Sequence, residues 1–173
     1  MSYVIAFIAA ELLAVLHVSV MPYVEVLGIT PDLVLIFAAS WAVVRGHEEG
    51  AIVVPISGFL RDLATSDPLG TSALALAPIV LLAAASRLRT VETEFVPTVV
   101  VVALGSLAYG IISMIVLAAT GQTVSWSDSV FRMLLPACLV NALFTPLLYL
   151  PIHMLTSQRR AGTIGTTRLT SPL

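Results

Sequence analysis

Long apolar blocks separated by short polar breaks run through almost the whole 173-residue sequence. Hydrophobic residues make up 58% of the chain and charged residues only 10%, and the mean hydropathy is +1.03. Because so few polar side chains cannot cover a water-exposed globule, most of the chain must be surrounded by lipid. The sequence therefore predicts an all-α integral membrane protein, folded as a compact bundle of about six transmembrane helices.

The predicted helices follow the apolar blocks, at roughly 3–21, 31–44, 49–63, 72–87, 95–119 and 129–155. The first, fifth and sixth are long enough to span a hydrocarbon core of about 30 Å. The second holds about 14 suitable residues, or about 21 Å of helix, and the third is similarly short. This pair either crosses fully with its polar ends drawn inward or forms a shallow hairpin that other helices shield.

The bundle is expected to occupy residues 1–157, followed by a disordered cytoplasmic tail over residues 158–173, which is rich in Thr, Gly and Arg. All eight basic residues are arginine. Only Arg61 and Arg132 lie near the first, third and fifth breaks; the second and fourth breaks and the tail carry the other arginines, namely Arg45, Arg87, Arg89, Arg159, Arg160 and Arg168. Because arginine-rich short loops stay in the cytoplasm, both termini are predicted to be cytoplasmic.

Capping patterns mark two of the predicted helix starts. In Thr30-Pro31-Asp32, Thr30 is interpreted as the N-cap, Pro31 as the first helical residue and Asp32 as an acid in the first turn. The run from Asp67 through Pro68 and Gly70 to Ser72 is interpreted as a turn that leads into the fourth helix.

The sequence predicts no enzymatic activity, no metal site and no cofactor. His47-Glu48-Glu49 begins like a zinc-protease helix, but the second histidine four residues after the first is missing. There is neither a Gly-x-Ser-x-Gly elbow nor a phosphate-binding loop, and Cys138 is the single cysteine. The net charge of −2 argues against a nucleic-acid partner.

Ionisable residues inside the apolar blocks are the remaining candidates for function. Glu11 lies near the middle of the first helix. It either contacts a substrate or ion from inside the bundle, or it is a hydrogen-bonded structural residue paired with Asn141, Tyr109 or a serine. The second interpretation is favoured.

Arg61 and Asp62 end the third helix and point about 100° apart, so each needs a partner other than its neighbour. Arg132 is the candidate partner of Asp62, because both are predicted near the outer surface. Two interpretations stay open: a docking point for another protein, or an internal link between the third and sixth helices.

Small residues at four-residue spacing form two stripes. Ala6, Ala10 and Ala14 lie on the first helix, and Ser106 and Gly110 on the fifth. Such stripes let helix backbones approach closely. They are predicted to pack the bundle against itself rather than against a partner.

The order of features from Pro31 to Leu82 resembles the MreD family of bacterial rod shape-determining membrane proteins. The residues that carry the resemblance are Pro31-Asp32-Leu33, the turn from Arg45 to Gly50, Gly58-x3-Asp62, Pro68-Leu69-Gly70 and Ala73-Leu74-Ala75. Each motif is weak alone, and the order and spacing together are more specific. The resemblance covers the central third of the chain closely and the rest only in layout.

This resemblance implies a non-enzymatic multi-pass subunit of the cell-elongation machinery in the bacterial cytoplasmic (inner) membrane. The implied partner is MreC, a single-span protein with a large extracytoplasmic part. The two proteins are expected to act with the actin-like MreB, the glycosyltransferase RodA and a class B penicillin-binding protein. Asp62, Pro68 and Gly70 would lie in the family's most characteristic outer segment.

One alternative comes from another functional class. The substrate-binding subunit of an energy-coupling vitamin transporter is also a compact six-helix bundle, and the Ala6, Ala10 and Ala14 stripe is similar to the stripe by which such subunits dock. The outer loops are short, however, and carry few aromatic residues and donors to enclose a polar vitamin. An intramembrane hydrolase is disfavoured because no nucleophile is paired with a base.

Overall fold

The computed structural model describes residues 2–20, 23–26, 28–65, 68–87, 93–120 and 130–167, with side chains up to residue 157 except those of Ser2, Val130 and Arg132. These residues are helical, apart from their connections. The helices are α1 (Ser2–Ser19), α2 (Leu33–Arg45), α3 (His47–Ala64), α4 (Thr71–Leu76), α5 (Pro78–Ser86), α6 (Phe95–Ala119) and α7 (Leu135–Thr167), with a π-helical segment, Val130–Leu134, before α7. An isolated bridge between Val26 and Ile29 is the one strand-like pairing in the described part of the chain. The all-α prediction is confirmed.

The fourth predicted helix, 72–87, is divided into α4 and α5. The division falls at Ala77, before Pro78, the first residue of α5. Proline has no amide hydrogen to donate to the preceding turn, so it suits a helix start and disrupts a helix interior. Because α4 and α5 follow one another directly, the described helices form six rods, as the sequence predicts.

The centre of the bundle is α2. Every residue from Leu33 to Val44 is buried, and α2 packs against α1, α3, α5, α6 and α7. A helix that is apolar on all sides is suited to such a position, because it has no polar face to direct outward. Its small residues, such as Ala38 and Ala42, are fully buried and allow close approach by neighbouring helices.

The alanine stripe of α1 faces inward, as predicted. Ala6, Ala10 and Ala14 are at most 2% exposed, and α1 packs mainly against α3 and α2. The second predicted stripe also lies at a helix contact. A Cβ atom on Gly110 would come within 2.8 Å of the Leu134 side chain. Both stripes therefore pack the bundle against itself.

Two helical stretches are long and apolar enough to cross a membrane: Phe95–Ala119 and Leu135–Ser157. Only about a third of either stretch is buried inside the protein, 28% and 33% respectively, so most of their residues face outward. The first helix, predicted to be long enough to span, is instead among the shorter apolar helices, with Leu33–Arg45 and Thr71–Ser86. In contrast, α3 is longer than predicted, because it starts at His47 rather than near residue 49.

The last helix extends beyond its predicted end near residue 155. The backbone of α7 stays helical to Thr167, so residues 158–167, which were predicted to be disordered, are helical instead. Residues 168–173 lie outside the described part of the chain. The division into a bundle and a cytoplasmic tail stays a prediction.

Candidate functional site

Most of the polar side chains singled out in the sequence meet at one end of α2. The first residue of α2 lies there beside the end of α3, the start of α4 and polar side chains of α6 and α7. We call this group the polar cluster, and it consists of Asp32, Arg61, Asp62, Ser72, Ser106, Tyr109 and Asn141.

Asp32 is the N-cap of α2 and the central acceptor of the polar cluster. Its backbone is extended, and its Oδ1 accepts a hydrogen bond from the amide of Leu35 at 3.1 Å. Oδ2 forms an ion pair with Arg61 on α3. The prediction that Thr30 is the N-cap and Pro31 the first helical residue is wrong. Asp32 caps the helix because its second oxygen also neutralises Arg61, which a hydroxyl at residue 30 cannot do.

Arg61 is nearly enclosed by the bundle. Its side chain is 12% exposed, as is that of Asp32, and its guanidinium carbon lies 4.8 Å from the centre of the Tyr109 ring. Removing a charge from water is costly, and an ion pair together with an aromatic face compensates part of that cost. The arrangement joins α3 to both α2 and α6.

Asp62 is buried and caps α4 from a neighbouring helix. Its Oδ2 accepts a hydrogen bond from the amide of Gly70 at 2.8 Å, and Oδ1 accepts one from the amide of Ser72 at 2.9 Å. Gly70 has a φ of +92°, which favours glycine, and it offers no side chain of its own as a cap. Asp62 therefore supplies the hydrogen-bond acceptors for the amides at the start of α4.

The separate partners predicted for Arg61 and Asp62 are confirmed. The partner proposed for Asp62 is not, because the described contacts of this carboxylate are backbone amides of the α3–α4 connection. The side chain of Arg132 lies outside the described residues. The described contacts of Asp62 thus link α3 to α4, and its contact with Arg132 stays a prediction.

Gly58 lies four residues before Asp62, on the same side of α3. A Cβ atom at this position would be 2.5 Å from the Cα atom of Ala73 and 2.6 Å from its nitrogen. Both contacts are to backbone, which cannot rotate away. Glycine is therefore required for α3 and α4 to approach closely enough for Asp62 to reach the amides of α4.

Asn141 ties α7 to two other helices. Its Oδ1 accepts a hydrogen bond from the amide of Asp32 at 2.8 Å, and its Nδ2 donates one to Oγ of Ser106 at 2.9 Å. On the other side of the polar cluster, the hydroxyls of Ser72 and Tyr109 lie 3.2 Å apart. Sequence reasoning had weighed Tyr109 only as a partner for Glu11 and had missed Ser72. In the sequence, each of these two residues is marked only by a hydroxyl group within an apolar block. Many residues with a purely packing role share that feature.

Glu11 is outside the polar cluster. Both interpretations of the sequence placed it inside the bundle, and the structure shows it exposed on the outer face of α1. The reason is geometric: Ala10 and Ala14 face inward, and a residue next to Ala10 points about 100° away from it.

The connection between α3 and α4 is hydrogen-bonded on its buried side and exposed on its outer side. The hydroxyl of Thr71 donates a hydrogen bond to the carbonyl of Pro68 at 2.7 Å. Pro68 is exposed, and the Leu69 side chain is 66% exposed. The buried side of the motif is therefore structural, and its outer side presents an apolar residue.

A cavity of about 200 Å³ borders the polar cluster between α6 and α7. The cluster residues that line it are Asp32, Ser106, Tyr109 and Asn141, and they are hydrogen-bonded within the protein. Among the residues that the structure describes, no three His, Cys, Asp or Glu side chains are grouped so as to hold a metal ion. The arrangement is suited to fixing helix positions.

A family model described as rod shape-determining protein MreD matches residues 1–159. The chain belongs to the MreD family. It is therefore a rod shape-determining membrane protein, and the resemblance found in its central third extends over most of the chain. No curated protein and no solved structure matches the chain.

The polar cluster contains several of the residues that carry the resemblance to the MreD family. The MreD-like motif residues Asp32, Gly58, Asp62, Pro68 and Gly70 lie in the polar cluster or in the helix contact and turn beside it, and Pro31 is the neighbour of Asp32 in sequence. The turn from Arg45 to Gly50, which also carries the resemblance, lies at the other end of α2. Together, the motif residues set the relative positions of α2, α3 and α4.

Proposed function

We propose that this protein is a non-enzymatic subunit of the bacterial cell-elongation complex, which binds an MreC-like membrane protein and supports lateral peptidoglycan synthesis. The observation that carries the proposal is the match of residues 1–159 to the MreD family. RodA, a class B penicillin-binding protein and MreB are the further partners. The protein acts in the bacterial cytoplasmic membrane, with both termini in the cytoplasm.

The chemistry of the polar cluster supports a role in binding rather than in catalysis. The carboxylate oxygens of Asp32 and Asp62 accept hydrogen bonds from backbone amides of the protein, and Asp32 also forms an ion pair with Arg61. A catalytic acid or base must instead reach a substrate. The hydrogen bonds hold three helix ends in fixed positions, which is what a preorganised binding surface needs.

The same end of the bundle carries exposed apolar side chains. Leu69 in the α3–α4 connection is 66% exposed, and Tyr23 in the α1–α2 connection is 87% exposed. Under the orientation predicted from the arginines, this end faces away from the cytoplasm. A partner with one membrane span and a large extracytoplasmic part is suited to such a surface.

Co-purification tests the proposal. The tagged full-length protein is extracted from membranes in detergent, and the recovered MreC-like protein is quantified. We expect Leu69→Ala to lower the recovery at least about fivefold, as for a residue that contributes more than about 1 kcal/mol to binding. Leu81→Ala is the matched control, because Leu81 on α5 is 74% exposed and lies away from the α3–α4 connection.

Two outcomes would contradict the proposal. One is that the unaltered protein recovers no elongation protein, and the other is that cells depleted of it keep their rod shape. The vitamin-transporter alternative predicts a bound small molecule in the purified protein. Mass spectrometry of extracts tests it, and a stoichiometric vitamin would replace the proposal.

A further inference from the structure

The outer face of α1 combines apolar side chains with one acid. Glu11 is exposed near the middle of this helix, and no described residue pairs with it or donates a hydrogen bond to it. Its outward neighbours are apolar and about half exposed or more: Ile8 (59%), Leu12 (65%) and Val15 (54%). A carboxyl group in such surroundings is unfavourable in a bilayer unless a donor comes to it.

A groove runs between α1 and α3 beside this face. Its walls are Tyr3 and Phe7 of α1 and Ile52 and Ile56 of α3, all between 38% and 48% exposed. Its floor is made of small buried residues, namely Ala6, Ala10 and Ser57. A floor of small side chains lets another helix approach closely, which is how helices pack in membranes.

Glu11 extends one wall of the groove. It follows Phe7 by four residues, as Phe7 follows Tyr3, so the three side chains lie along one side of α1. The groove and the carboxyl group therefore face the same occupant. An apolar helix that fills the groove carries its polar group one helical turn beyond the level of Phe7.

We infer that the α1–α3 groove binds a transmembrane helix of a different protein, and that Glu11 accepts a hydrogen bond or ion pair from a basic or amide side chain of that helix. The inference deepens the proposed function and rests on it for the identity of the partner alone.

Charge argues against a second copy of this chain as the occupant. In a two-fold dimer through this groove, each face meets its own equivalent, which brings the two Glu11 side chains together. The described basic side chains of α1 and α3 offer no compensation. Arg61 is paired with Asp32 inside the bundle. His17, in the last turn of α1, and His47, the first residue of α3, both lie outside the groove lining.

Site-specific photocross-linking in native membranes tests the inference. A photoreactive amino acid is placed at Phe7 or at Ile56 in the full-length protein, and Leu104 on α6 is the matched control, since it is 45% exposed and Phe7 46%. We expect cross-links from Phe7 and Ile56, and not from Leu104, to an apolar segment of another protein. Peptide mapping should place an Arg, Lys, His, Asn or Gln within about one turn of the cross-linked residue.

Substitution of the acid provides the second readout. We expect Glu11→Leu to lower the yield of the Phe7 cross-link at least about tenfold, the change that corresponds to one decade in affinity. Glu11→Gln keeps an acceptor and should lower the yield less. Glu25→Leu removes another exposed acid, outside the groove, and should leave the yield unchanged.

The inference is overturned if Phe7 cross-links only to another copy of the chain or only to lipid, if Leu104 cross-links equally well, or if Glu11→Leu has no effect. Its failure can be told apart from that of the proposed function. Recovery of an MreC-like protein without a groove cross-link would contradict the groove as a binding site and leave the proposed function in place. A groove cross-link to an unrelated membrane helix would contradict the proposed partner and support the groove as a binding site.

Discussion

The two ends of α2 use the same kinds of residue in different ways. At its start, Asp32 and Arg61 come from separate helices and are almost fully buried. At its end, Arg45 pairs with Glu49 at 3.0 Å across the α2–α3 turn, and their side chains are 15% and 25% exposed. The second pair is therefore the more exposed of the two, mainly at Glu49.

Chain connectivity explains the difference. Between α2 and α3 there is a single residue, Gly46, so the backbone itself holds these two helix ends together. At the opposite end, the start of α2 is not connected directly to α3 or α4, and residues 65–70 separate α3 from α4. Side chains must therefore fix the relative positions of these helix ends. We therefore expect substitutions in the polar cluster to cost much more stability than substitutions at the α2–α3 turn.

Asp32→Ala should have the largest effect. It removes both the carboxylate partner of a buried arginine and the N-cap of α2. Breaking a buried ion pair costs about 3–5 kcal/mol, and unfolding of the purified protein in detergent measures it. The double variant Asp32→Ala with Arg61→Met should recover part of the loss, because the buried charge is then also removed. A single variant as stable as the unaltered protein would show that the two ends of α2 do not differ in this way.

Gly58→Ala should have the next largest effect. The added methyl group meets the backbone of Ala73 at 2.5 Å, and overpacking of this kind costs about 1–3 kcal/mol. Gly110→Ala is the matched control, because its methyl group meets only the Leu134 side chain, which can move. The thermal midpoints of the two variants in detergent make the comparison. Equal losses would mean that the close approach of α3 and α4 has no special role.

Glu49→Gln should have the smallest effect. Partly exposed ion pairs contribute about 0.2–1 kcal/mol, and salt screens them. Chemical unfolding at low and at high salt measures the change, which should shrink as the salt concentration rises. A loss of several kcal/mol would mean that the α2–α3 turn contributes as much to stability as the polar cluster.

The elements of the fold were largely predictable, because each helix shows as its own apolar block. The start of α2 was placed two residues too early, since Thr30, Pro31 and Asp32 all suit a helix start and only the contact with Arg61 decides among them. Glu11 was placed on the wrong side of α1, because an acid in an apolar block was expected to face the interior. The neighbouring alanine stripe, which is the buried side of α1, already indicated the opposite.

Local sequence was enough for the helical class, the membrane character and the close-packing stripes, because apolar block length and four-residue spacing are properties of a single segment. The meeting of Asp32 with Asn141, 109 residues away, and with Arg61, 29 residues away, was decided by tertiary structure. Each polar group in an apolar block needs a partner, but sequence does not name it. Only the packing of α3, α6 and α7 around α2 determines which donors and acceptors come within hydrogen-bonding distance.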